Sequence, residues 1–199
     1  MAAKLLLASR SPRRLHVLRQ LALDPEVRDA SIDETLLPGE GPLEHVERLA
    51  RAKAEWVALD APDALVVGGD TIVLRDGRVL GKPESEAHAV QMLMSLAGRS
   101  HEVLTALALA GAHGVVSQVN RTTVHFRDLD TSAVRRYVGT GEPMDKAGGY
   151  GIQGLGAALV EGLNGDYYSV VGFPVGVFLD LLRRAGWRYD FGEITRAPV

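Results

Sequence analysis

Apolar and polar positions change period several times along the chain. "KLLLA" at residues 4–8 is an unbroken apolar run of strand length and predicts a short buried strand. From 12 to 23 the apolar residues recur at helical spacing. An amphipathic helix there would turn Leu15, Leu18 and Leu21 or Ala22 to one side. The stretch 24–41 is polar and contains Gly and Pro, which predicts a loop or extended segment. Helical spacing returns from about Leu43 to Leu59, with Leu43, Val46, Leu49, Ala50 and Val57 as the apolar stripe.

"ALVVGGDTIVLRDGRVLGKP" reads as two strand pieces around Gly68-Gly69-Asp70, then a two-residue hairpin turn at Asp76-Gly77. A helix from about Ser85 to Ala97 is closed by Gly98. "HEVLTALALA" and "VSQVNRTTVHF" predict strands joined by the turn "GAHG", and a short helix follows from about Thr131 to Val138. The glycine-rich segment 139–172 predicts strands at 157–161 and 167–171. Pro174 opens a last helix that ends near Gly186, and the final ten residues read as a loosely held tail. Strands and helices alternate, but the hairpin and the adjacent strands break a strict βαβ pattern. The expectation is an α/β fold: a mixed sheet, bent or split, with flanking helices. There is no internal repeat or low-complexity linker, so 1–199 reads as a single domain.

Composition narrows the function classes. A net charge of −3 argues against a nucleic-acid footprint over the whole surface, so any positive site must be local. The absence of cysteine excludes disulfides, zinc ribbons and thiol nucleophiles, and it fits a reducing compartment. The apolar part of "MAAKLLLASR" is too short for a signal peptide and is followed by arginines. No run approaches the roughly 18 apolar residues of a membrane span. The expectation is a cytoplasmic protein with neither a membrane nor a nucleic acid as partner.

Local chemistry then singles out six places. In "ASRSPRR" Ser11 and Pro12 read as a serine cap and a proline at the first helical position. Arg13 and Arg14 follow, at a helix end whose partial charge is already positive. Either the arginines are solvated, or they join the helix N–H groups in an anion site. Asp70, between Gly69 and Thr71, could hold Mg²⁺, accept a proton from water, or simply cap a turn. Asp33 and Glu34 offer another carboxylate for a metal site with Asp70, against a default of solvated loop charges. Lys53 falls on or beside an apolar helical stripe, where it either snorkels or crosses into a polar cleft. Lys82, in Gly81-Lys82-Pro83, suits a phosphate or an exposed strand edge. In "DKAGGYGIQG" Gln153 offers an acceptor and two donors, which match the imide edge of uracil or thymine. The alternative there is a flexible loop with a solvated amide. His16, His45, His88, His101, His113 and His125 lack metal-ligand spacing, and no G-x-S-x-G anchors a triad.

Taken in order, "LLLASRSPRR", "IDET", "LARAKA", "GGDTIV", "LGKP", "TGEPMDKAGGYGIQG" and "NGDYYSVVGFP" resemble the Maf family of nucleoside triphosphate pyrophosphatases, over about residues 4–185. The resemblance implies two lobes around a central cleft, similar to inosine triphosphate pyrophosphatases. It implies hydrolysis between the α- and β-phosphates with a divalent cation, Mg²⁺ or Mn²⁺. "SPRR", "GGDTIV" and "YGIQG" are similar to the branch that acts on dTTP and UTP. On that basis Asp70 is expected as general base and Glu34 as a metal-binding or water-positioning carboxylate, with Asp70 a second candidate metal ligand. Ser11, Arg14, Lys53 and Lys82 would cradle the triphosphate, and Arg13, Thr71 and Gln153 would set base preference. The target could be an unmodified or a modified pyrimidine nucleotide, with house-cleaning of the nucleotide pool as a role. A homodimer is the guess for assembly. A non-catalytic nucleotide-binding regulator and a sugar-nucleotide transferase are the competing readings.

Overall fold

The structure is a computed structural model that describes residues 3–112 and 114–197; His113, in the expected "GAHG" turn, lies outside them. The chain divides into two compact units. One falls within Met1–Asp70, Thr105–Asn120 and Gly172–Val199, the other within Thr71–Leu104 and Arg121–Val171.

The first unit is built on β1 (Leu5–Ala8), buried along its whole length, as an unbroken apolar run requires. β1 pairs in parallel with β2 (Glu26–Arg28) on one side and with β3 (Leu65–Arg75) on the other, aligning Ala8 with both Arg28 and Gly68. Parallel neighbours need crossovers. α1 (Pro12–Gln20) and α2 (Pro42–Ala58) supply them. Parts of β5 (Ser100–Gly111) and β6 (Gly114–Phe126) continue the sheet in the order β2-β1-β3-β5-β6.

Leu6, Leu18, Val46, Val66, Leu107 and Phe178 are among the fully buried side chains of this unit. The last helix is α6 (Val175–Arg184), which starts directly after Pro174, one residue later than expected. Of the expected loose tail at 190–199, Pro198 and Val199 lie outside the described residues, and β9 (Ile194–Arg196) is ordered in a hairpin with β8 (Trp187–Tyr189). It is held by Tyr189 Oη donating to the Leu21 carbonyl at 2.8 Å, by Ala3 N donating to the Ile194 carbonyl, and by burial of Ile194.

The second unit contains the other halves of β3, β5 and β6, in the order β4-β3-β5-β6-β7, with β4 (Arg78–Leu80) and β7 (Val160–Asn164) both antiparallel to their neighbours. Parallel and antiparallel pairs together make the sheet mixed, as expected. The β3–β4 turn is Asp76-Gly77, both at positive φ, the geometry a two-residue hairpin prefers. α3 (Glu86–Leu96) is capped by Ser85, and α4 (Thr131–Val138) by Asp130. Val73, Leu93, Val103, Phe126, Val134 and Tyr137 belong to one buried cluster.

Four local expectations are corrected. β3 is one strand of 11 residues, not two pieces, because its glycines serve close packing and do not break the ladder. A Cβ on Gly68 would lie 2.3 Å from the Ala50 carbonyl oxygen and 2.6 Å from Ala54 N, so α2 rests directly on the strand. Residues 167–171 form a helical turn, α5 (Tyr167–Val171), because the Asp166 side chain accepts from Tyr168 N and its carbonyl from Ser169 N. The expected strand at 157–161 begins only at Val160, after a 3-10 stretch over Gly154–Leu159. Finally, α1 buries Arg14, Val17 and Leu18, leaving Leu15 and Leu21 half-buried and Ala22 exposed, and Leu43 of α2 is exposed.

Candidate active site

α2 aims Lys53 at the carboxylate of Asp70. Lys53 lies on the buried face with Leu49, Ala50, Ala54 and Val57, and its side chain is 11% exposed. Its Nζ donates to Asp70 Oδ1 at 2.8 Å and lies 2.6 Å from Glu34 Oε1. The ammonium therefore bridges two carboxylates from different parts of the sequence. Asp70 is 14% exposed at its side chain and Glu34 is 60% exposed, so one carboxylate is sheltered and the other faces solvent. This settles the reading of Lys53 from the stripe alone: the side chain crosses to a carboxylate and does not snorkel outward.

The segment that brings Glu34 to Lys53 has no regular structure and is pinned by side chains instead. Asp33 Oδ1 accepts from Thr35 N at 2.8 Å, and the Thr35 side chain first, then this N–H, hold the Asp33 carboxyl below its ordinary range. Asp33 thus caps its own turn, and Glu34 is the carboxylate that reaches Lys53. Arg48, one turn before Lys53 on α2, donates to the Thr35 carbonyl at 3.0 Å and to both carboxylate oxygens of Glu40. Hydrogen bonds from Arg48 pull the Glu40 carboxyl down to about 2, against the opposing effect of burial, with Leu37 N and His45 also donating. The Glu40–Arg48 pair ties the Glu34 segment to the helix that carries Lys53. Neither residue stood out in the sequence.

The start of α1 supplies the second half of the arrangement. Ser11 occupies the cap position before Pro12, but its side chain caps nothing, contrary to expectation; its N–H donates to Ser9 Oγ at 3.2 Å. No acidic residue occupies the first turn, so the positive end of the helix is uncompensated by a local carboxylate. Arg14 is not a solvated arginine. It is buried, with Nε donating to the Gly172 carbonyl at 2.9 Å and an η-nitrogen donating to Ser9 Oγ at 2.9 Å. Burial lowers the pKa of this guanidinium, the charge of Asp70 opposes the fall, Arg13 adds to it and Glu34 opposes it. A Cβ on Gly69 would lie 3.3 Å from Arg14 Nε, so β3 and α1 approach closely at this glycine. Ser9 and Gly172 were missed in the sequence; the only signal was their place in "LASRSPRR" and "VVGFP". Arg13, the next residue back, is half-buried.

The remaining expected site residues belong to the second unit. Thr71 follows Asp70 along β3 and is half-buried. Lys82 is exposed, just beyond β4, and makes no ion pair among the described residues. Gln153 is half-buried in the glycine-rich loop. Tyr150 at the start of that loop is buried and shares a 2.7 Å hydrogen bond with His101 Nε2, and both rings stand edge-on to Phe126. Burial drives the His101 imidazole down to about 4.

Glu34 and Asp70 meet the donor requirement of a hard divalent cation that fills its remaining positions with phosphate oxygens and water. Both already converge on one positive centre, Lys53 Nζ. No group of three or more His, Cys, Asp or Glu is placed to hold a metal among the described residues.

One unit thus brings a sheltered aspartate, a lysine, a buried arginine and a helix start without a side-chain cap onto one mixed sheet, and the cationic groups and free N–H groups among them are of the kind that suit phosphate. The chain belongs to the Maf-like protein family, which matches residues 4–185. It is 47% identical over 184 residues to a dTTP/UTP pyrophosphatase of Symbiobacterium thermophilum, covering 92% of this chain and 95% of that one. It is 49% identical over 184 residues to a dTTP/UTP pyrophosphatase of Moorella thermoacetica, covering 90% and 94%. Among solved structures it is similar to the Ham1 protein of Staphylococcus aureus, at 18% identity and a TM-score of 0.44, over 78% of this chain and 79% of the other. No helix among the described residues is long and apolar enough to cross a membrane.

Proposed function

We propose that the chain is a metal-dependent nucleoside triphosphate pyrophosphatase that converts dTTP and UTP, or modified pyrimidine nucleotides of the same shape, to the monophosphate and pyrophosphate. The observation that carries the reading is the bridge from Lys53 Nζ to Asp70 and Glu34, at 2.8 and 2.6 Å. It supplies three parts that hydrolysis of a phosphoanhydride needs: a base for water, carboxylates for a cation, and an ammonium for phosphate oxygens. The names and identities of the two relatives support the choice of nucleotide.

Glu34 and Asp70 would hold Mg²⁺ or Mn²⁺, which when bound supplies positive charge to the phosphate oxygens. Asp70 accepts the proton of the attacking water. The water oxygen forms the new bond to the α-phosphorus, the bond from that phosphorus to the α–β bridging oxygen breaks, and the bridging oxygen leaves with its electron pair on pyrophosphate. Lys53, Lys82, Arg14 and Ser11 bind the triphosphate oxygens and balance charge that grows on the leaving pyrophosphate. Arg14 is suited to this by its fixed position: Ser9 and Gly172 hold the guanidinium before any ligand arrives. Arg13, Thr71 and Gln153 set base preference, the Gln153 amide accepting from the imide N–H and donating to a neighbouring carbonyl. Within this reading residues 1–199 work as one catalytic domain in the cytoplasm, as a homodimer, and clear unwanted pyrimidine triphosphates from the nucleotide pool.

The test is a panel of nucleoside triphosphates, each incubated with the purified chain and Mg²⁺ or Mn²⁺, with products separated. UMP or dTMP plus pyrophosphate is expected, and chelation should abolish it. Orthophosphate plus a diphosphate would place the cut at the γ-phosphate and sink the reading. Pyrophosphate release that requires an added sugar phosphate would select a transferase, and tight UTP binding with no turnover would select a regulator.

A further inference from the structure

We propose that Glu142 is a positioning residue for base selection, fixing the glycine-rich loop that presents Gln153. The inference rests on the assignment of Gln153 to the base, and it concerns a residue two turns of chain away that touches no nucleotide in that reading.

The loop around Gln153 is tied down on both sides. Before it, Tyr150 is held by His101, and Gly151 N donates to Tyr137 Oη at 3.4 Å. After it, Leu155 N donates to Glu142 Oε2 at 3.0 Å and Gly156 N donates to Glu142 Oε1 at 2.9 Å. Tyr137 Oη closes the circuit by donating to Glu142 Oε1 at 3.0 Å. One carboxylate thus accepts three donors and links both limbs of the loop, directly at 155–156 and through Tyr137 at 151. The Gln153 amide lies between the tied positions and enters no hydrogen bond among the described residues.

The backbone is shaped around this contact. A Cβ on Gly156 would lie 2.3 Å from the Gly151 carbonyl oxygen and 2.7 Å from Tyr137 Oη, so the two limbs touch through main chain. Gly154 has φ +68 and would place a Cβ 3.0 Å from Glu142 Oε2. Glu142 is itself set in place. Gly141 at φ +76 turns the chain into the short 3-10 stretch Glu142–Asp145, and Lys146 Nζ donates to the Glu142 carbonyl at 2.6 Å. Burial, reinforced by Glu142, pushes the Tyr137 hydroxyl well above its ordinary range, so it remains a donor. A glutamine at 142 would match the size of the carboxylate yet offer one acceptor oxygen for three donors and turn N–H groups toward backbone N–H. Recognition by a hydrogen-bonding amide depends on such placement, because a group that misses its partner by about 1 Å loses most of its discrimination.

The experiment compares kcat and KM of the full chain for UTP, dTTP, CTP and GTP in the wild type, Glu142→Gln, Tyr137→Phe and Gln153→Ala. In Glu142→Gln, KM for UTP and dTTP should rise on the order of tenfold, the scale of a lost hydrogen bond. kcat should change by less than about twofold and the preference over CTP and GTP should narrow by the same tenfold. Tyr137→Phe should narrow the preference in the same direction, and it decides alone if Glu142→Gln does not fold. An equal loss for all four nucleotides, or an unchanged preference, overturns the inference. A wild type without preference for UTP and dTTP, or a Gln153→Ala variant that keeps it, fells the underlying assignment. Loss of preference in Gln153→Ala but not in the Glu142 and Tyr137 variants fells this inference alone.

Discussion

Lys53 Nζ lies 2.8 Å from Asp70 Oδ1, joining the buried face of a helix to the strand beneath it. The same nitrogen lies 2.6 Å from Glu34 Oε1, so Asp70 shares its cation with a carboxylate that is far more exposed. A base that must take a proton from water needs a free lone pair at the right place. In the proposed role as that base, Asp70 has its sheltered position on β3 as the place, and transfer of Lys53 from carboxylate to phosphate would leave both its oxygens open to water.

Asp70→Asn should therefore keep the shape of the site and lose the base. Turnover of UTP should fall by at least ~10²-fold, the usual scale for a positioned general base, while the KM for UTP changes little. The measurement is pyrophosphate release under saturating substrate. Near-normal kcat in this variant would remove Asp70 from the role.

Gly68→Ala tests the same relationship through packing. The added methyl would press on the Ala50 carbonyl oxygen and Ala54 N, which flank Lys53 on α2. Both are backbone atoms and cannot rotate away. Overpacking of this kind costs about 1–3 kcal/mol. Displacement of Lys53 from Asp70 should cost more than stability alone, with kcat lower on the order of 10²-fold in protein that is still folded. Thermal unfolding and kcat measured on one preparation separate the two effects; normal activity would show that α2 absorbs the shift without moving Lys53.

Local sequence offered candidates for this site, and the contacts that join them depend on distant partners. Periodicity placed Lys53 at a stripe's edge, yet only the fold shows that Asp70 lies across from it. Arg14 looked like a charge at an exposed helix start, because its acceptor at Gly172 is 158 residues away. Gly68 and Gly69 looked like a strand break, since glycine signals either a break or a close approach; the α2 backbone decides it at Gly68, and Leu107, Ala106 and Arg14 decide it at Gly69. The terminal hairpin was hidden because its short strands gain their stability from contact with Leu21 and Ala3, not from their own pattern. Glu40 and Arg48 resembled ordinary surface charges until the fold folded the Glu34 segment back onto α2.

The two arginines of "SPRR" should separate in their effects. Arg14→Ala removes a buried guanidinium and leaves Ser9 Oγ and the Gly172 carbonyl without that partner. All nucleotides should lose turnover together and the melting temperature should fall. Arg14→Lys should rescue little, since a lysine cannot reproduce two directed bonds from one planar group. Arg13→Ala should instead reorder the nucleotides, changing the ratio of kcat/KM for UTP and CTP with a small effect on melting. Uniform loss in both variants would end this division of labour.

Stability should also carry the signature of His101. Its imidazole is buried against Tyr150 and Phe126, and burial lowers its pKa from 6.5 to about 4, with Arg75 and His125 adding to the fall. In the folded chain the ring is neutral down to that range, whereas in the unfolded chain it takes a proton near 6.5. The unfolded state then binds more protons between those two values. The stability that His101 contributes is present above about pH 6.5 and is lost progressively as pH falls toward 4, on the order of 3 kcal/mol over the whole window. Urea unfolding at pH 7.5 and pH 5 should show the loss in the wild type and a smaller one in His101→Gln, which cannot take up that proton. Equal pH dependence in the two proteins would assign the loss to other groups. The same window bears on function, because His101 holds Tyr150 at the head of the loop that carries Gln153. Protonation leaves Nε2 only a donor toward Tyr150 and puts an N–H on the buried Nδ1, which has no partner among the described residues, so selectivity between UTP and CTP should weaken as pH falls below 5, before the fold is lost.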